Sequence, residues 1–192
     1  MSNLDNYLSK HKLKLIEKIA KGWTSYIYLV KNSKGKKVIL KVLREKSNRT
    51  NMVEKESENL KLANSVKVGP KLIRFDKANG VVQMEYVAGK SFKEYIFETN
   101  VSQKELFSFL KEILSQAKKL DKIGLDHGQL AGKGANILVK KNKPIIIDFE
   151  KASNKRRVGN YNQLKSFFFI SPHSAIAKKV RKILKERVDD LI

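Results

Sequence analysis

Up to about residue 87 the apolar residues of this chain recur mostly at every second position; beyond it they recur at every third and fourth. A chain divided in this way builds a sheet first and a helical body second, which places it in the α+β class. Residues 13–19, 25–30 and 38–43 read as strands, with a turn at Asn32-Ser33-Lys34-Gly35. From about 50 to 63 the spacing of Val53, Leu60 and Ala63 predicts one helix, capped by Asn48 or Thr50. Val68-Gly69-Pro70 ends it, and strands resume at 71–75 and 81–86 around an Asn79-Gly80 turn. After a hinge at Val87-Ala88-Gly89, Leu106, Leu110, Ile113, Ala117 and Leu120 mark a helix over about 102–122. A hairpin follows at 136–149. Ile176, Val180, Ile183, Val188 and Leu191 mark a last helix opened by Ser171-Pro172. The expected organisation is two lobes, 1–87 and 88–192.

The 192 residues are 41% hydrophobic, enough for a core in each lobe. Cysteine is absent, which excludes disulfides and thiolate metal sites, and His11, His127 and His173 are too scattered for zinc. The opening residues lack the apolar core of a signal peptide, and Phe167-Phe168-Phe169-Ile170, the longest apolar run, is far too short to span a bilayer. The expected protein is cytoplasmic with no membrane partner. Its 41 Lys and Arg against 19 Asp and Glu give a formal charge of +22. That field attracts polyanions, so RNA or a ribonucleoprotein is an expected partner. Lysines spread over solvated faces give the same composition, and no stacking run or zinc knuckle separates the two readings.

Five elements carry chemistry. Ala20-Lys21-Gly22-Trp23-Thr24-Ser25 is a turn of mostly small residues that can bring backbone N–H groups near phosphates, with Ile27 at its exit to cover a flat base; by itself it reads more readily as an ordinary hairpin. Lys41 stands in a strand of Val, Ile and Leu, facing the same side as Ile39. A buried ammonium needs anionic partners, whereas an edge lysine needs none. Glu56 lies four residues before Leu60 on the following helix; if Leu60 packs on the sheet, Glu56 points toward it and can pair with Lys41, whereas a solvated helix face is the commoner place for any one glutamate. Gln83-Met84-Glu85-Tyr86-Val87 offers backbone groups to an adenine edge. Last, Asn136 and Asp148 stand at the two ends of a hairpin, which brings an amide and a carboxylate oxygen together. Mg²⁺ takes few protein ligands plus phosphate oxygens.

In this order the elements resemble the protein kinase fold, bilobal with an N-terminal antiparallel sheet and one helix. Ala20-x-Gly22-x-x-Ser25-x-Ile27 resembles the G-x-G-x-x-G-x-V loop, Val38-Ile39-Leu40-Lys41 resembles V-A-I-K, and Met84-Glu85-Tyr86-Val87 is similar to a kinase hinge. Only 42 residues follow Glu150 and no Ala-Pro-Glu is present. This economy resembles the minimal atypical kinases, the RIO type and the small kinase of the KEOPS complex, and is most similar to small archaeal predicted serine/threonine kinases. The resemblance implies ATP and Mg²⁺ as cofactors. Gly22 and Ser25 then cover the phosphates, and Lys41, held by Glu56, binds the α and β phosphates. Met84, Glu85 and Val87 line the adenine, with Ile27 and Leu138 above and below it. Asn136 and Asp148 hold the metal.

The chain departs from that pattern in three places. His127-Gly128-Gln129-Leu130 puts Gln129 where the catalytic aspartate belongs, and Asn136 follows seven residues later instead of five. An amide cannot accept a proton near neutral pH, which removes a term worth about 10²–10⁴ in rate. Phosphoryl transfer survives that loss in principle, because positioning and charge neutralisation supply most of its catalysis. Asp126 or His127 is a candidate substitute base, or a structural residue. Asp148-Phe149-Glu150 carries glutamate where glycine is usual. At period two Glu150 falls on the side of Asp148, to add a second carboxylate to the cation site or to bind Lys151, Arg156 or Arg157. Ala20 and Ser25 replace loop glycines, and the Ser25 hydroxyl can itself bond a phosphate.

The expected function is an ATP- and Mg²⁺-dependent phosphotransferase, an atypical serine/threonine protein kinase acting on a protein hydroxyl or a small-molecule acceptor. The alternative is a weak or inactive kinase relative that serves as a nucleotide-binding scaffold on RNA or a ribosomal or tRNA-modifying complex.

Overall fold

A computed structural model describes residues 3–44, 51–132 and 134–191. The chain divides into two compact units, one formed by residues up to Asn64 with Pro70–Tyr86, the other by Ser65–Gly69 with residues from Val87 onward.

The first unit opens with α1 (Asn3–Lys10), followed by β1 (Lys14–Lys21), β2 (Ser25–Lys31), β3 (Lys37–Leu43), α2 (Met52–Ser65), β4 (Leu72–Asp76) and β5 (Val81–Glu85). All strand pairs are antiparallel, in the order β1-β2-β3-β5-β4. The strands form where β-branched and aromatic residues are dense. The β2–β3 turn forms because the Asn32 side chain accepts the backbone N–H groups of Lys34 and Lys36 at 3.1 and 2.9 Å.

Register sorts the sheet into two faces. Tyr28 stands opposite Leu40, and Leu40 opposite Gln83. On that face Val30, Val38, Leu40, Val42 and Val81 pack around Tyr7 of α1, with Leu4, Leu8 and Leu13 at the margin. Tyr7 is wholly buried, and its hydroxyl donates to Gln83 Oε1 at 2.8 Å. On the opposite face Ile27 stands opposite Lys41, and Lys41 opposite Val82. The predicted helix face is present in α2, where Val53, Leu60 and Ala63 are buried together with Glu56. The expected caps Asn48 and Thr50 lie outside the described residues.

The second unit contains β6 (Lys90–Ser91), α3 (Phe92–Glu98), α4 (Gln103–Lys122), β7 (Ile137–Lys140), β8 (Lys143–Ile146), α5 (Asn160–Lys165) and α6 (Ala175–Leu184). A 3₁₀ turn occupies Phe149–Lys151, a π-turn Ser166–Ile170 and a second 3₁₀ stretch Lys185–Leu191. Capping boxes Ser91/Glu94 and Ser102/Glu105 start α3 and α4. All five expected positions on α4 are fully buried. Phe92 stacks on Phe109, with ring centroids 5.1 Å apart, and meets Phe168 edge-on at 5.2 Å. The unpatterned apolar run 167–170 is therefore core wall at its three phenylalanines, while Ile170 is exposed.

Two expectations are corrected. The last helix starts at Ala175 with Ser174 as its cap, whose hydroxyl accepts the Ala177 N–H, and not at Ser171-Pro172. It also stops at Leu184, because Lys185 turns the backbone left-handed at φ 53°, so Val188 and Leu191 ride on a 3₁₀ stretch.

Among the described residues no helix is long and apolar enough to cross a membrane.

Candidate nucleotide and metal residues

In the first unit the structure brings Lys41 and Glu56 together. Strand alternation turns Lys41 to the side that α2 covers, and the helical repeat turns Glu56 with Leu60 toward the sheet. Lys41 Nζ lies 2.9 Å from Glu56 Oε1, with side-chain exposures of only 8% and 2%. A charge so deeply placed is tolerated only when compensated.

The turn between β1 and β2 is closed by Gly22, whose N–H donates to the Ser25 carbonyl at 2.8 Å. Ser25 is buried, and Trp23 at the tip is 96% exposed. Arg44, which the sequence did not single out, fixes this turn: its Nη1 donates to the carbonyls of Gly22 and Trp23, each at 3.0 Å, and its own N–H donates to Thr24. The Lys18 ammonium lies over the Tyr26 ring, 3.6 Å from its centre, and the Arg44 guanidinium lies 5.5 Å from the same centre. Ile27 and Met84 are half-buried. The Glu85 N–H is committed to the Lys71 carbonyl at 2.9 Å, and Val87 is buried, outside any strand.

In the second unit β7 and β8 pair from Ile137–Ile146 to Lys140–Lys143. The Ile147 N–H then donates to the Asn136 carbonyl at 2.9 Å, which holds Asn136 and the residues just before Asp148 at one end of the hairpin. Asn136 Nδ2 donates to the Gln129 carbonyl at 3.1 Å. That bond assigns Nδ2 as the donor and leaves Oδ1 as the atom of this side chain with the chemistry of a cation ligand. Asp148 adopts a left-handed backbone, φ 67° and ψ 70°, which aspartate tolerates better than most residues. Among the described residues no three His, Cys, Asp or Glu converge on a metal position. An amide oxygen and a carboxylate at one hairpin end still fit a hard cation that takes its remaining ligands from phosphates and water.

Glu150 needs correction. Period two does not apply to it, because Phe149–Lys151 is a 3₁₀ turn and not a continuing strand. The left-handed angle of this segment falls on Asp148, and Glu150 is not among the positive-φ residues.

Asp126 and His127 occupy scaffold positions. The Asp126 carboxylate receives Arg156 Nη2 at 2.8 Å on one oxygen and Gln163 Nε2 at 3.3 Å on the other, and its backbone pairs with Ser153. His127 is fully buried, bonded through Nε2 to the Ile147 carbonyl at 3.0 Å and packed edge-on against Phe149. Burial lowers its pKa below the usual histidine value, against the partly opposing pull of the Ile147 carbonyl and the Asp148 and Asp126 charges. Gln129 is half-buried and contributes its carbonyl to the loop, accepting from Asn136 and from the Gly132 N–H. Gly128 is left-handed at φ 77°; a Cβ there would strike the Arg156 guanidinium and stand 2.8 Å from the Lys151 carbonyl. Leu138 is half-buried opposite Ser91 and Ile145.

Sequence reasoning missed Asn160, which organises this region. Wholly buried, it accepts the His127 N–H at 2.9 Å and donates to Asp121 Oδ1 and the Leu125 carbonyl, each at 2.8 Å. Asp121, at the end of α4, also receives the first N–H groups of α5, those of Asn160 and Tyr161, each at 3.0 Å. The sole local signal is the preceding Gly159, which is too common to interpret.

An uncharacterised protein of Methanocaldococcus jannaschii is 29% identical over 108 residues, covering 56% of this chain and 89% of that protein. A probable serine/threonine-protein kinase of Encephalitozoon cuniculi is 28% identical over 138 residues, covering 72% of this chain and 26% of that protein, so the chain spans about a quarter of its length. Residues 30–165, more than two thirds of the chain, match the RIO domain. With an antiparallel five-stranded sheet, a buried lysine–glutamate pair and an Asn–Asp hairpin already in place, the chain belongs to the protein-kinase-like RIO domain family.

Proposed function

We propose that this protein is an ATP- and Mg²⁺-dependent phosphotransferase that phosphorylates serine or threonine hydroxyls. The observation that carries this reading is the Lys41–Glu56 pair, 2.9 Å apart and buried. A sheet does not require a lysine there; an ammonium held by a carboxylate on one side is suited to nucleotide phosphates on the other. In this reading the Gly22–Ser25 turn covers the phosphates, Ile27 and Leu138 contact the base, and the backbone of residues 84–87 meets its edge. Asn136 Oδ1 and the Asp148 carboxylate hold Mg²⁺, which when bound neutralises charge on the transferring phosphate.

A second reading has its own support. Gln129 cannot act as a base, and both Asp126 oxygens are engaged by Arg156 and Gln163. A kinase relative that binds nucleotide without transferring phosphate, and serves as a basic scaffold on RNA, accommodates both facts.

One assay separates the two. The protein is incubated with labelled ATP, Mg²⁺ and protein or small-molecule acceptors, beside Lys41→Ala and Asp148→Ala variants. Transfer by the parent alone supports the kinase. Equal transfer by all three removes it, and Mg²⁺-dependent ATP binding with no transfer selects the scaffold.

A further inference from the structure

The hairpin that holds Asn136 at one end has a different chemistry at the other. Its turn, Lys140-Lys141-Asn142-Lys143, borders an open cavity of about 390 Å³ within the second unit, lined by Lys67, Lys140, Lys141, Lys143, Glu112 and Gln116 among others. Four lysines and one glutamate are among the residues that line it. Among the described residues no carboxylate forms an ion pair with any of the four lysines. Like charges gathered on one concave surface repel in the folded state, and an incoming anion relieves that cost.

The platform under these lysines is fixed. Asn142 Nδ2 donates to Glu105 Oε1 at 2.7 Å, and Gln116 Nε2 donates to the Pro144 carbonyl at 2.9 Å; both bonds tie the turn to α4. The backbone at two of the lysines is adverse. Lys141 and Lys67 are left-handed, at φ 50° and 60°, where glycine or asparagine is the favoured residue. Two lysines held at a conformational cost on the wall of one cavity, beside two more, point to a role for their charge.

We propose that this cavity is an anion site for two or more neighbouring phosphate groups, whether carried by an RNA backbone or by a free polyphosphate. It lies at the hairpin end opposite Asn136 and does not depend on the phosphotransfer reading. Lysines contact phosphates as point charges, without the paired geometry by which arginine reads a guanine edge, so recognition at this site is independent of base sequence.

The test compares three proteins. One is the parent. In the second, Lys67, Lys140, Lys141 and Lys143 are each changed to Gln. In the third, Lys34, Lys36, Lys55 and Lys61, exposed lysines of the first unit, are changed in the same way, so that net charge falls equally. Each is titrated with a labelled RNA of about a dozen nucleotides and, separately, with inorganic tripolyphosphate, at several salt concentrations. The cavity variant is expected to bind RNA at least about tenfold more weakly at ~0.1 M salt, with a log–log salt slope shallower by about 2–3, while the control changes less. Tripolyphosphate binding that is lost in the cavity variant identifies a compact phosphate cluster as sufficient. RNA binding lost without any tripolyphosphate binding identifies the polymer. Either result supports the site. Equal losses in both quadruple variants, or no loss in the cavity variant with either probe, overturn it. Should the cavity variant melt early, the Lys140→Gln/Lys143→Gln protein, altered only at ordinary backbone positions, is measured against Lys34→Gln/Lys36→Gln by the same criteria.

Discussion

Lys41 reaches across from β3 to Glu56 of α2, 2.9 Å between Nζ and Oε1, and the pair is almost closed to water. Removing one partner strands the other charge in a medium that solvates it poorly, which costs more than the pair itself contributes. Lys41→Met is therefore expected to lower unfolding free energy by about 3 kcal/mol. Lys41→Met combined with Glu56→Leu should recover most of that. Urea melts of the three proteins measure it; a double variant no more stable than the single one would contradict the argument.

Asn160 joins α4, α5 and the loop before Gln129 through three side-chain hydrogen bonds. Asn160→Ala leaves the His127 N–H and the Leu125 carbonyl without that partner and opens a small cavity. A loss of about 2–4 kcal/mol is expected. Asn160→Asp should be at least as damaging, because it sets a carboxylate against Asp121. Chemical denaturation reads both.

His127 is held neutral by burial, with its pKa below the ordinary histidine value. The unfolded chain therefore binds more protons than the folded one once pH falls toward about 6.5, the usual histidine value, and stability drops in that direction. Stability measured between pH 7.5 and 5 should fall more steeply for the parent than for His127→Gln. Parallel curves would show that another group sets the slope.

Tyr7 behaves in the opposite sense. Burial is the main cause that pushes its hydroxyl up to about 12, opposed by Arg74 and aided by Asp76. The folded state keeps its proton while the unfolded chain begins to lose it near pH 10, so stability declines as pH rises from 10 toward 12. Tyr7→Phe should flatten that decline. At neutral pH it should cost about 1–2 kcal/mol, since Gln83 Oε1 loses its donor.

What the sequence disclosed depended on range. Lys41, Glu56 and the α4 face were legible because strand alternation and the helical repeat fix which way a side chain points relative to close neighbours. Asn136 and Asp148 were legible because a short hairpin brings its own ends together. Asn160 was not, since its partners lie 33 to 39 residues away. α1 left a trace in the spacing of Leu4, Tyr7 and Leu8, but eight residues are too few to argue from. Period-two alternation did not extend to Glu150, because β8 ends at Ile146 and Phe149–Lys151 is a 3₁₀ turn.

The contact between Tyr7 and Gln83 has a consequence for synthesis. α1 leaves the ribosome well before its anchor on β5, since Gln83 follows Tyr7 by 76 positions. Until β5 emerges, the face formed by Val38, Leu40 and Val42 lacks both Val81 and the settled helix that close it. The nascent chain must carry this face uncovered for several seconds at ordinary elongation rates, roughly 5–20 residues per second. The lysine-dense flanks of β1, β2 and β3 then act as more than a surface property: their like charge opposes contact between growing chains during that interval.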